Sequence, residues 1–240
     1  MAHARARGER LRTEALLVRK VPFGDADAMV TFFTEARGIL SATARSAQRS
    51  ARRFPSLEPM HLLAITIEER SGQEVGLLVE AQILRPRFQL VGDLGKLEAA
   101  GQALRWVREG APPHTPEPAL WEEVNLLLDA LDQPPSPALP EPRALLAGMG
   151  LRLLGAIGWG LDLSRCVRCG KPCDQGASAY VDAAEGGLVC RSCGGSRAIL
   201  SAERRAHLCA AIEGEDDALT PGDVEVALGL VEATLAAHAR

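Results

Sequence analysis

Apolar residues alternate with other residues along the segment Glu74-Val-Gly-Leu-Leu-Val-Glu-Ala-Gln-Ile-Leu84. An alternation with a period of two predicts a β-strand that buries one of its two faces. The residues predicted for the buried face are Val75, Leu77, Val79, Ala81 and Ile83. The run Leu63–Glu68 alternates in the same way, and Arg70-Ser-Gly-Gln73 between the two runs is typical of a hairpin turn.

Three further short strands are predicted upstream of this hairpin, over Thr13–Val21, Ala28–Thr34 and Ile39–Arg45. Gly24-Asp25 and Arg37-Gly38 supply the turn residues between them. Five antiparallel strands in about 75 residues would leave exposed edges in one open sheet. The sequence therefore predicts a small closed or partly closed barrel, most simply the five-stranded OB type.

The pattern changes after Pro86, where apolar residues recur at helical spacing. Helices are predicted at about 90–107, 120–131, 143–157, 201–214 and 220–238, and proline-dense segments at 111–118 and 134–142 separate the first three. The predicted fold class is α+β and multi-domain. An N-terminal barrel domain is expected over residues 1–85, and a mainly helical domain over residues 86–240.

Two Cys-x-x-Cys pairs, Cys166-Val-Arg-Cys169 and Cys190-Arg-Ser-Cys193, lie within the helical part of the chain and are separated by 20 residues. This spacing is typical of a structural zinc site, in which each pair forms a tight turn that presents two thiolates to one ion. One structural Zn²⁺ per chain is therefore predicted, in a module at about residues 164–196. Because four thiolates leave no open coordination position, this site is expected to stabilise the fold and not to catalyse.

Other interpretations of the cysteines stay open. The pairs could be redox dithiols or buried thiols, and Cys173, four residues after Cys169, could replace one of the ligands. Cys209 lies on an apolar helix face, where a small buried side chain is the simpler interpretation.

The composition and the missing motifs exclude several classes of protein. Apolar residues make up 47% and charged residues 24% of the 240 residues, which is typical of a globular chain. The sequence has no P-loop, no zinc-deaminase motif, no Gly-x-Ser-x-Gly elbow and no His-Glu-x-x-His helix, so an enzyme is not expected. It also has neither a signal peptide nor an unbroken apolar span, so a cytoplasmic protein without membrane contact is expected.

Charge is distributed unevenly along the chain. The net charge is −4, yet residues 1–60 contain 11 Lys and Arg against 6 Asp and Glu. Four of these arginines lie in Arg45-Ser-Ala-Gln-Arg-Ser-Ala-Arg-Arg53, a segment without any acidic residue that we call the arginine loop. A solvated charged loop is the plain alternative, but small polar residues beside arginine suit phosphate oxygens, and OB barrels commonly bind oligonucleotides.

The arginine loop and the neighbouring strands therefore give a set of candidate DNA-binding residues. The predicted contacts are Arg45, Arg49, Arg52, Arg53, Lys20 and Arg37, with Arg19 as a possible extension of the surface. Phe23, at the end of the first strand, is the best candidate for stacking on a base. Because aromatic residues are only 4% of the chain, binding is expected to depend mainly on phosphate charge and to weaken steeply with salt.

Together these segments resemble the bacterial RecO family, the recombination mediators of the RecF pathway. The resemblance rests on Thr13–Thr34, on Gly38–Arg45 with the arginine loop and Leu57-Glu-Pro-Met-His61, and on Gly158–Gly170 completed by the second cysteine pair. Many members of the family have Ala-Arg-Gly where this chain has Ala44-Arg45-Ser46, a departure that leaves the charge in place.

The resemblance implies an OB-fold DNA-binding domain followed by a helical domain with a zinc module held by Cys166, Cys169, Cys190 and Cys193. It further implies a protein of DNA repair and recombination that binds single- and double-stranded DNA and anneals complementary strands without ATP. Such a protein would act in the cytoplasm, at the nucleoid, with RecR and single-stranded DNA-binding protein to load the recombinase RecA. The acidic C-terminal tail of the single-stranded DNA-binding protein would need a basic groove, for which Arg143 and Arg152 are candidates.

Two other functions are compatible with parts of the sequence. A zinc-bearing DNA-processing enzyme, such as a ligase or a nuclease, could combine the same two domains, but the Lys-x-Asp-Gly motif and clustered metal-binding carboxylates are missing. A structural zinc-ribbon adaptor without annealing activity is the other alternative. Salt-dependent DNA binding would distinguish the mediator from this adaptor.

Overall fold

A computed structural model describes residues 9–47, 54, 57–69, 74–136 and 139–238 of the chain. The chain divides into two compact units. The first combines Met1–Phe88 with Ala111–Trp121, and the second combines Gln89–Gly110 with Glu122–Arg240. The first unit therefore includes a proline-dense segment that the sequence had suggested only as a separator between helices.

Five strands form the first unit, as predicted. They are β1 (Glu9–Phe23), β2 (Asp27–Thr34), β3 (Gly38–Ala44), β4 (Leu62–Glu69) and β5 (Val75–Arg85). They close into a barrel in the order β1-β2-β3-β5-β4, and the pairing of β3 with β5 is parallel whereas the other pairings are antiparallel. The predicted turn at residues 70–73 lies outside the described residues.

Alternate residues of all five strands fill the barrel. Leu17, Phe32, Leu40, Ile65 and Leu78 represent the five strands in this core, and each is no more than 3% exposed. Burial of one such side chain stabilises the fold by about 1.5–3 kcal/mol. Phe54 and Leu57, which lie between β3 and β4 in the sequence, are also buried in this core.

The face predicted for β5 is partly wrong because the strand contains a bulge. Thr66 of β4 pairs with Glu80, but the next residue, Ile67, pairs with Leu78, so that Val79 is an extra residue in β5. An extra residue shifts the alternation by one position. Leu78 and Ala81 are consequently the buried residues of β5, whereas Val75, predicted for the buried face, is 38% exposed. Ile83 is in phase with Ala81 but lies near the end of the strand, where it is 39% exposed.

The second unit contains most of the helical structure, as predicted. Including two segments shared with the first unit, the helices are α1 (Phe88–Val91), α2 (Leu94–Gly110), α3 (Pro118–Leu131), α4 (Pro142–Ala156), α5 (Ala202–Ile212) and α6 (Pro221–His238). Helix α4 contacts α2, α5 and α6, and its residues Leu153 and Leu154 are fully buried. Gly150 allows this packing, because a Cβ atom there would lie 2.7 Å from the ring of Trp106 on α2.

A small four-stranded sheet lies between α4 and α5 in the sequence. Its strands are β6 (Asp162–Cys166), β7 (Ala179–Asp182), β8 (Gly187–Leu188) and β9 (Ala198–Leu200), in the order β6-β8-β7-β9. The antiparallel pair β7–β8 is the hairpin expected between the two cysteine pairs. Within the ranges that the structure describes, none of the helices has both the length and the apolarity required of a membrane span.

Candidate metal centre and nucleic-acid interface

The four predicted ligand cysteines meet at one point. The Sγ atoms of Cys166, Cys169, Cys190 and Cys193 all lie within 4.8 Å of one another, and those of Cys169 and Cys190 are 3.7 Å apart. Four sulfurs at Zn–S bond lengths of about 2.3 Å would be separated by ~3.8 Å in a tetrahedron. The cluster could therefore hold one metal ion, and its size and its four-sulfur donor set fit structural zinc.

Backbone turns and one arginine hold the two cysteine pairs together. The turn of the first pair closes with a bond from Gly170 N–H to the Cys166 carbonyl, at 2.8 Å. Arg168, inside this pair, donates to both carboxylate oxygens of Glu185 at 3.0 and 2.7 Å, and to the carbonyl of Cys193 at 2.5 Å. The bonds to Arg168 lower the pKa of Glu185 and raise that of the guanidinium. The same side chain thus links the first pair to the hairpin and to the second pair.

The thiols strongly influence one another. The N–H of Cys190 donates to Cys166 Sγ at 3.3 Å and is the main cause that lowers the pKa of Cys166 to about 6. Contacts with the thiol of Cys190, and then with that of Cys169, raise the pKa of Cys193 to about 12. Because like charges within a few ångströms oppose each other, a divalent cation is what would allow all four thiolates to form together.

The two remaining cysteines lie outside this cluster. Cys173 Sγ accepts a hydrogen bond from the guanidinium of Arg205, a buried residue of α5, and is not among the four clustered sulfurs. Cys209 lies further along α5, and burial raises the pKa of its thiol. The geometry therefore favours the two pairs over a ligand set that includes Cys173.

A bulge in β1 determines which of its residues face away from the barrel core. Leu17 pairs with Phe32 of β2, but Arg19 pairs with Thr31, so that Val18 is an extra residue. Without it, the alternation from Leu17 would direct Arg19 into the core. With it, Lys20 falls opposite the buried Val30, and Arg19 takes the outward position.

The outward residues of β1, β2 and β3 form two rows across the sheet. Paired residues of neighbouring strands share a face, so the register places them side by side. The rows are Arg19–Thr31–Ser41 and Val21–Met29–Thr43, and Phe23 and Arg45 lie at the end next to the second row. We call these eight residues the open face. All are at least partly exposed, and the Phe23 side chain is 59% exposed.

Residues of the segment Ala111–Trp121 cover the opposite end of the same sheet. The N–H of His114 donates to the Ile39 carbonyl at 3.1 Å, and the ring of Trp121 lies 5.5 Å from that of Phe33. Gly38 is required for this contact, because it has a φ of +61° and a Cβ atom there would overlap the carbonyl oxygen of Thr115. On the outward side of β1, β2 and β3, the open face lies beyond this covered end and stays at least partly exposed.

The predicted DNA contacts that the structure describes do not lie on one surface. Arg45 is exposed at the end of β3 on the open face, whereas Arg37 precedes β3, ~26 Å away along the strand, with its guanidinium 4.0 Å from Glu69. Lys20 points to the core side, donates to the Leu57 carbonyl at 3.0 Å and lies 3.7 Å from Glu58. Arg49, Arg52 and Arg53 lie outside the described residues.

Sequence reasoning missed the polar residues at the centre of the open face, which are Thr31, Ser41 and Thr43. Hydroxyl side chains in strands carry no local signal of function. They became visible only once the register with β1 was known. Their hydroxyl groups can donate to phosphate oxygens beside Arg19 and Arg45.

Ser46 adopts a backbone conformation that favours glycine. Its φ is +59°, and its N–H donates to the carboxylate of Asp27 at 2.8 Å. This is the position at which the chain departs from the Ala-Arg-Gly pattern of the resemblance. The turn after Arg45 thus keeps a left-handed residue at a cost of about 1 kcal/mol.

Replacing Ser46 with glycine is expected to raise the free energy of unfolding by up to about 1 kcal/mol, because relief of the left-handed strain exceeds the added backbone entropy of glycine. Urea denaturation of the two proteins measures the difference. The neighbouring substitution Ala47→Gly is the control, since Ala47 has no positive φ and the added backbone entropy should destabilise the protein. Equal effects of the two substitutions would contradict the interpretation.

The two arginines considered for an acidic tail are both paired within the second unit. Arg152 donates to Glu123 at 2.7 Å, to Asp216 at 2.7 Å and to the Ala211 carbonyl at 2.8 Å. Burial opposes the charge on Arg152, but the two carboxylates outweigh it and raise its pKa. Arg143, which is exposed, pairs with Glu225 at 2.6 Å. The geometry argues against Arg152 as a tail contact, because both of its acidic partners would have to be displaced.

Comparison with known proteins matches both parts of the chain to one family. The description "Recombination protein O N terminal" applies to residues 9–87 and "Recombination protein O C terminal" to residues 91–239. A DNA repair protein RecO of Geobacter metallireducens is 30% identical over 234 residues, which cover 96% of this chain and 93% of the relative. A protein of the same name in Anaeromyxobacter sp. strain K is 39% identical over 77% of this chain and 71% of the relative. Another, in Myxococcus xanthus, is 33% identical over 78% of this chain and 73% of the relative.

Proposed function

Because the chain belongs to the recombination protein O (RecO) family of DNA repair proteins, we propose that it is a recombination mediator that anneals complementary DNA strands. In this proposal it binds single- and double-stranded DNA without hydrolysing ATP and helps to load the recombinase onto DNA coated with single-stranded DNA-binding protein. RecR and the acidic tail of the single-stranded DNA-binding protein are its proposed protein partners. The protein would act in the cytoplasm, at the nucleoid, and it is proposed not to be an enzyme.

The open face is the observation that carries this proposal. It combines two exposed cations, Arg19 and Arg45, with three hydroxyl side chains and the exposed ring of Phe23. Cations and hydroxyls bind phosphate oxygens, and an exposed aromatic ring stacks on bases of any sequence. This is the chemistry of a surface that binds single strands without sequence preference.

The arginine loop is proposed to extend the open face. It begins at Arg45, and the described residues Ala47, within the loop, and Phe54, directly after it, both pack in or against the barrel core. Arg49, Arg52 and Arg53 lie between these two residues and would add positive charge beside Arg45. Lys20 and Arg37 stay in the proposed DNA-binding set, although each is near an acidic residue that DNA would have to displace.

Charge neutralisation is the proposed mechanism of annealing. Complementary strands repel each other through their phosphates, and a basic barrel surface that binds one strand lowers this repulsion for the second. No bond is made or broken in the process, so no nucleotide hydrolysis is needed. The release of counterions makes the reaction steeply dependent on salt.

The remaining assignments divide the work between the two parts of the chain. We propose that residues 1–85 form the DNA-binding domain, and that residues 86–240 form a helical domain for protein contacts. One Zn²⁺ held by Cys166, Cys169, Cys190 and Cys193 would stabilise the module at about residues 164–196. As a closed site with four thiolates, it would take no part in chemistry.

The first test is annealing of two complementary labelled oligonucleotides, without ATP or Mg²⁺, over a series of salt concentrations. The double substitution of Arg19 and Arg45 with glutamate is expected to slow annealing at least about tenfold at 0.1 M salt, because two phosphate contacts become repulsive. Phe23→Ala should weaken single-strand binding by about 1–3 kcal/mol if a base stacks on the ring. Fluorescence anisotropy measures the binding, and fluorescence transfer between the strands measures the annealing rate.

Arg10 and Arg12 provide a matched control on the same strand. Both are exposed, but they lie in the part of β1 that pairs with β4, away from the open face. Their substitution with glutamate changes the net charge by the same amount and should leave annealing near the wild-type rate. An equal loss of annealing rate in both double variants would contradict the assignment of the open face as the DNA-binding surface. No annealing by the folded, metal-loaded wild-type protein at any salt would instead favour the adaptor.

A further inference from the structure

The module around the cysteine cluster carries cations that no acidic residue neutralises. Five exposed basic side chains lie between β6 and β9: Arg165, Arg168, Lys171, Arg191 and Arg197. Arg165 pairs with Asp162 at 3.0 Å, and Arg168 pairs with Glu185 at 2.7 Å. Among the described residues the other three make no ion pair. The module therefore presents three cations outside ion pairs, beside a cluster whose four thiolates would keep a net charge of −2 with Zn²⁺ bound.

The nearby acidic residues are mostly engaged elsewhere. Asp162 and Glu185 hold the two paired arginines, and Asp182 accepts from the backbone of Ala184 at 3.1 Å and from Ser196 at 3.3 Å. These bonds fix the carboxylates in the turns of the module. A polyanion that approaches Lys171, Arg191 and Arg197 would meet three side chains that make no ion pair with a described carboxylate.

Apolar and aromatic side chains adjoin two of these cations. Tyr180 of β7 is directly opposite Ile199 of the edge strand β9, so the two side chains share one face, and Ile199 is 57% exposed. Arg197 lies two residues before Ile199. The ring of Tyr180 lies over Gly195, where a Cβ atom would be 3.3 Å from the ring, and Gly195 closes the turn that carries Arg191 with a bond to the Cys190 carbonyl.

Tyr180 and Ile199 thus share one face of the small sheet, Arg197 and Arg191 lie on the segment that leads into β9, and Lys171 is on the turn of the other cysteine pair. We call these five residues the knuckle surface. A partly exposed aromatic ring bordered by an aliphatic side chain and free cations has the composition of a platform for single-stranded nucleic acid. The Arg168 bonds from the first cysteine pair to Glu185 and Cys193 fix the two turns to each other and keep the surface in place.

We propose that the knuckle surface is a second binding site for the phosphate backbone of single-stranded DNA, on the same chain as the open face. The inference rests on the proposed function, which it deepens. Annealing needs two strands at one protein, and a chain with two sites holds the second strand at a high effective concentration. The second site would therefore bind the incoming strand.

The test counts oligonucleotides on the full-length, metal-loaded protein. The triple variant Lys171→Gln, Arg191→Gln and Arg197→Gln is compared with wild type in native mass spectrometry with short single strands of about eight nucleotides. Wild type is expected to bind two strands per chain and the variant one. Loss of about three phosphate contacts should also lower the salt slope of total binding by about 2, at ~0.7 for each contact with a single strand. Annealing should slow by about a hundredfold.

A matched control removes the same charge from elsewhere in the second unit. Lys96→Glu and Arg108→Gln together lower the net charge by the same three units, and this variant should keep both strands and the wild-type salt slope. Metal content and thermal melting establish that each variant is folded. Crosslinking with an oligonucleotide that contains 5-iodouracil should modify peptides with Tyr180 as well as peptides with Phe23.

The outcomes separate this inference from the proposed function. If wild type neither binds nor anneals oligonucleotides, the proposed function fails and the second site fails with it. If wild type anneals, but the triple variant keeps the strand count and the salt slope and no crosslink reaches Tyr180, the second site alone is wrong. Loss of one strand in the triple variant, with the Tyr180 crosslink, supports both.

Discussion

Replacing Cys190 with serine is expected to release the metal ion and to unfold the module between β6 and β9. Three thiolates cannot complete the tetrahedral site, and the apparent free energy of structural zinc binding is about 10–16 kcal/mol at neutral pH. Zinc per chain, measured by mass spectrometry of the purified protein, should fall from one to near zero. Hydrogen exchange should become fast in residues 162–200 and stay slow in the barrel strands.

Cys209→Ser is the control for this experiment. Cys209 is also a cysteine of the second unit, but it lies on α5 outside the four-sulfur cluster, so the variant should retain one metal ion. Retention of zinc by the Cys190 variant would contradict the assigned ligand set and would bring back Cys173 as a substitute ligand.

Replacing Gly148 with alanine is expected to cost about 3–5 kcal/mol of the free energy of unfolding. A Cβ atom at this position of α4 would overlap Asp216 Oδ1 and lie 2.6 Å from its Cγ, so the carboxylate has to move. Arg152 would then lose one of its two acidic partners in a largely buried place, which is a severe form of destabilisation. Urea denaturation followed by far-ultraviolet circular dichroism measures the change.

Gly155 of the same helix gives a control with the opposite sign. A Cβ atom at Gly155 meets nothing within 4 Å, so alanine there should stabilise the helix by up to about 1 kcal/mol. A similar loss in both variants would show that the contact with Asp216 is not the cause of the loss at Gly148.

The five strands and the cysteine cluster were predictable because their signals are local. The alternation along residues 62–84 can be recognised from neighbouring residues alone, and two Cys-x-x-Cys pairs at this spacing are typical of metal sites. The closed barrel then followed from the need to leave no edge unpaired.

The features that shape the candidate sites were not predictable, because each depends on a distant partner. The bulges at Val18 and Val79 depend on the pairing of β1 with β2 and of β4 with β5. Nothing within Ala111–Trp121 indicates that its backbone bonds to Ile39. Likewise, the sequence around Arg152 does not indicate that it pairs with Glu123 and Asp216, because these residues are far apart in the chain and meet only in the folded protein.

The bulge in β1 has a consequence for how this strand can change over time. The strand has two halves whose side chains alternate in opposite phase, and Val18 is the point at which the phase changes. Deletion of this one residue would restore a single phase and turn Arg19 toward the core side of the sheet. A substitution on the open face changes one side chain, whereas a single-residue deletion near Val18 would turn Arg19, Val21 and Phe23 away from this face together. Length is thus more tightly constrained than residue type in this part of the chain.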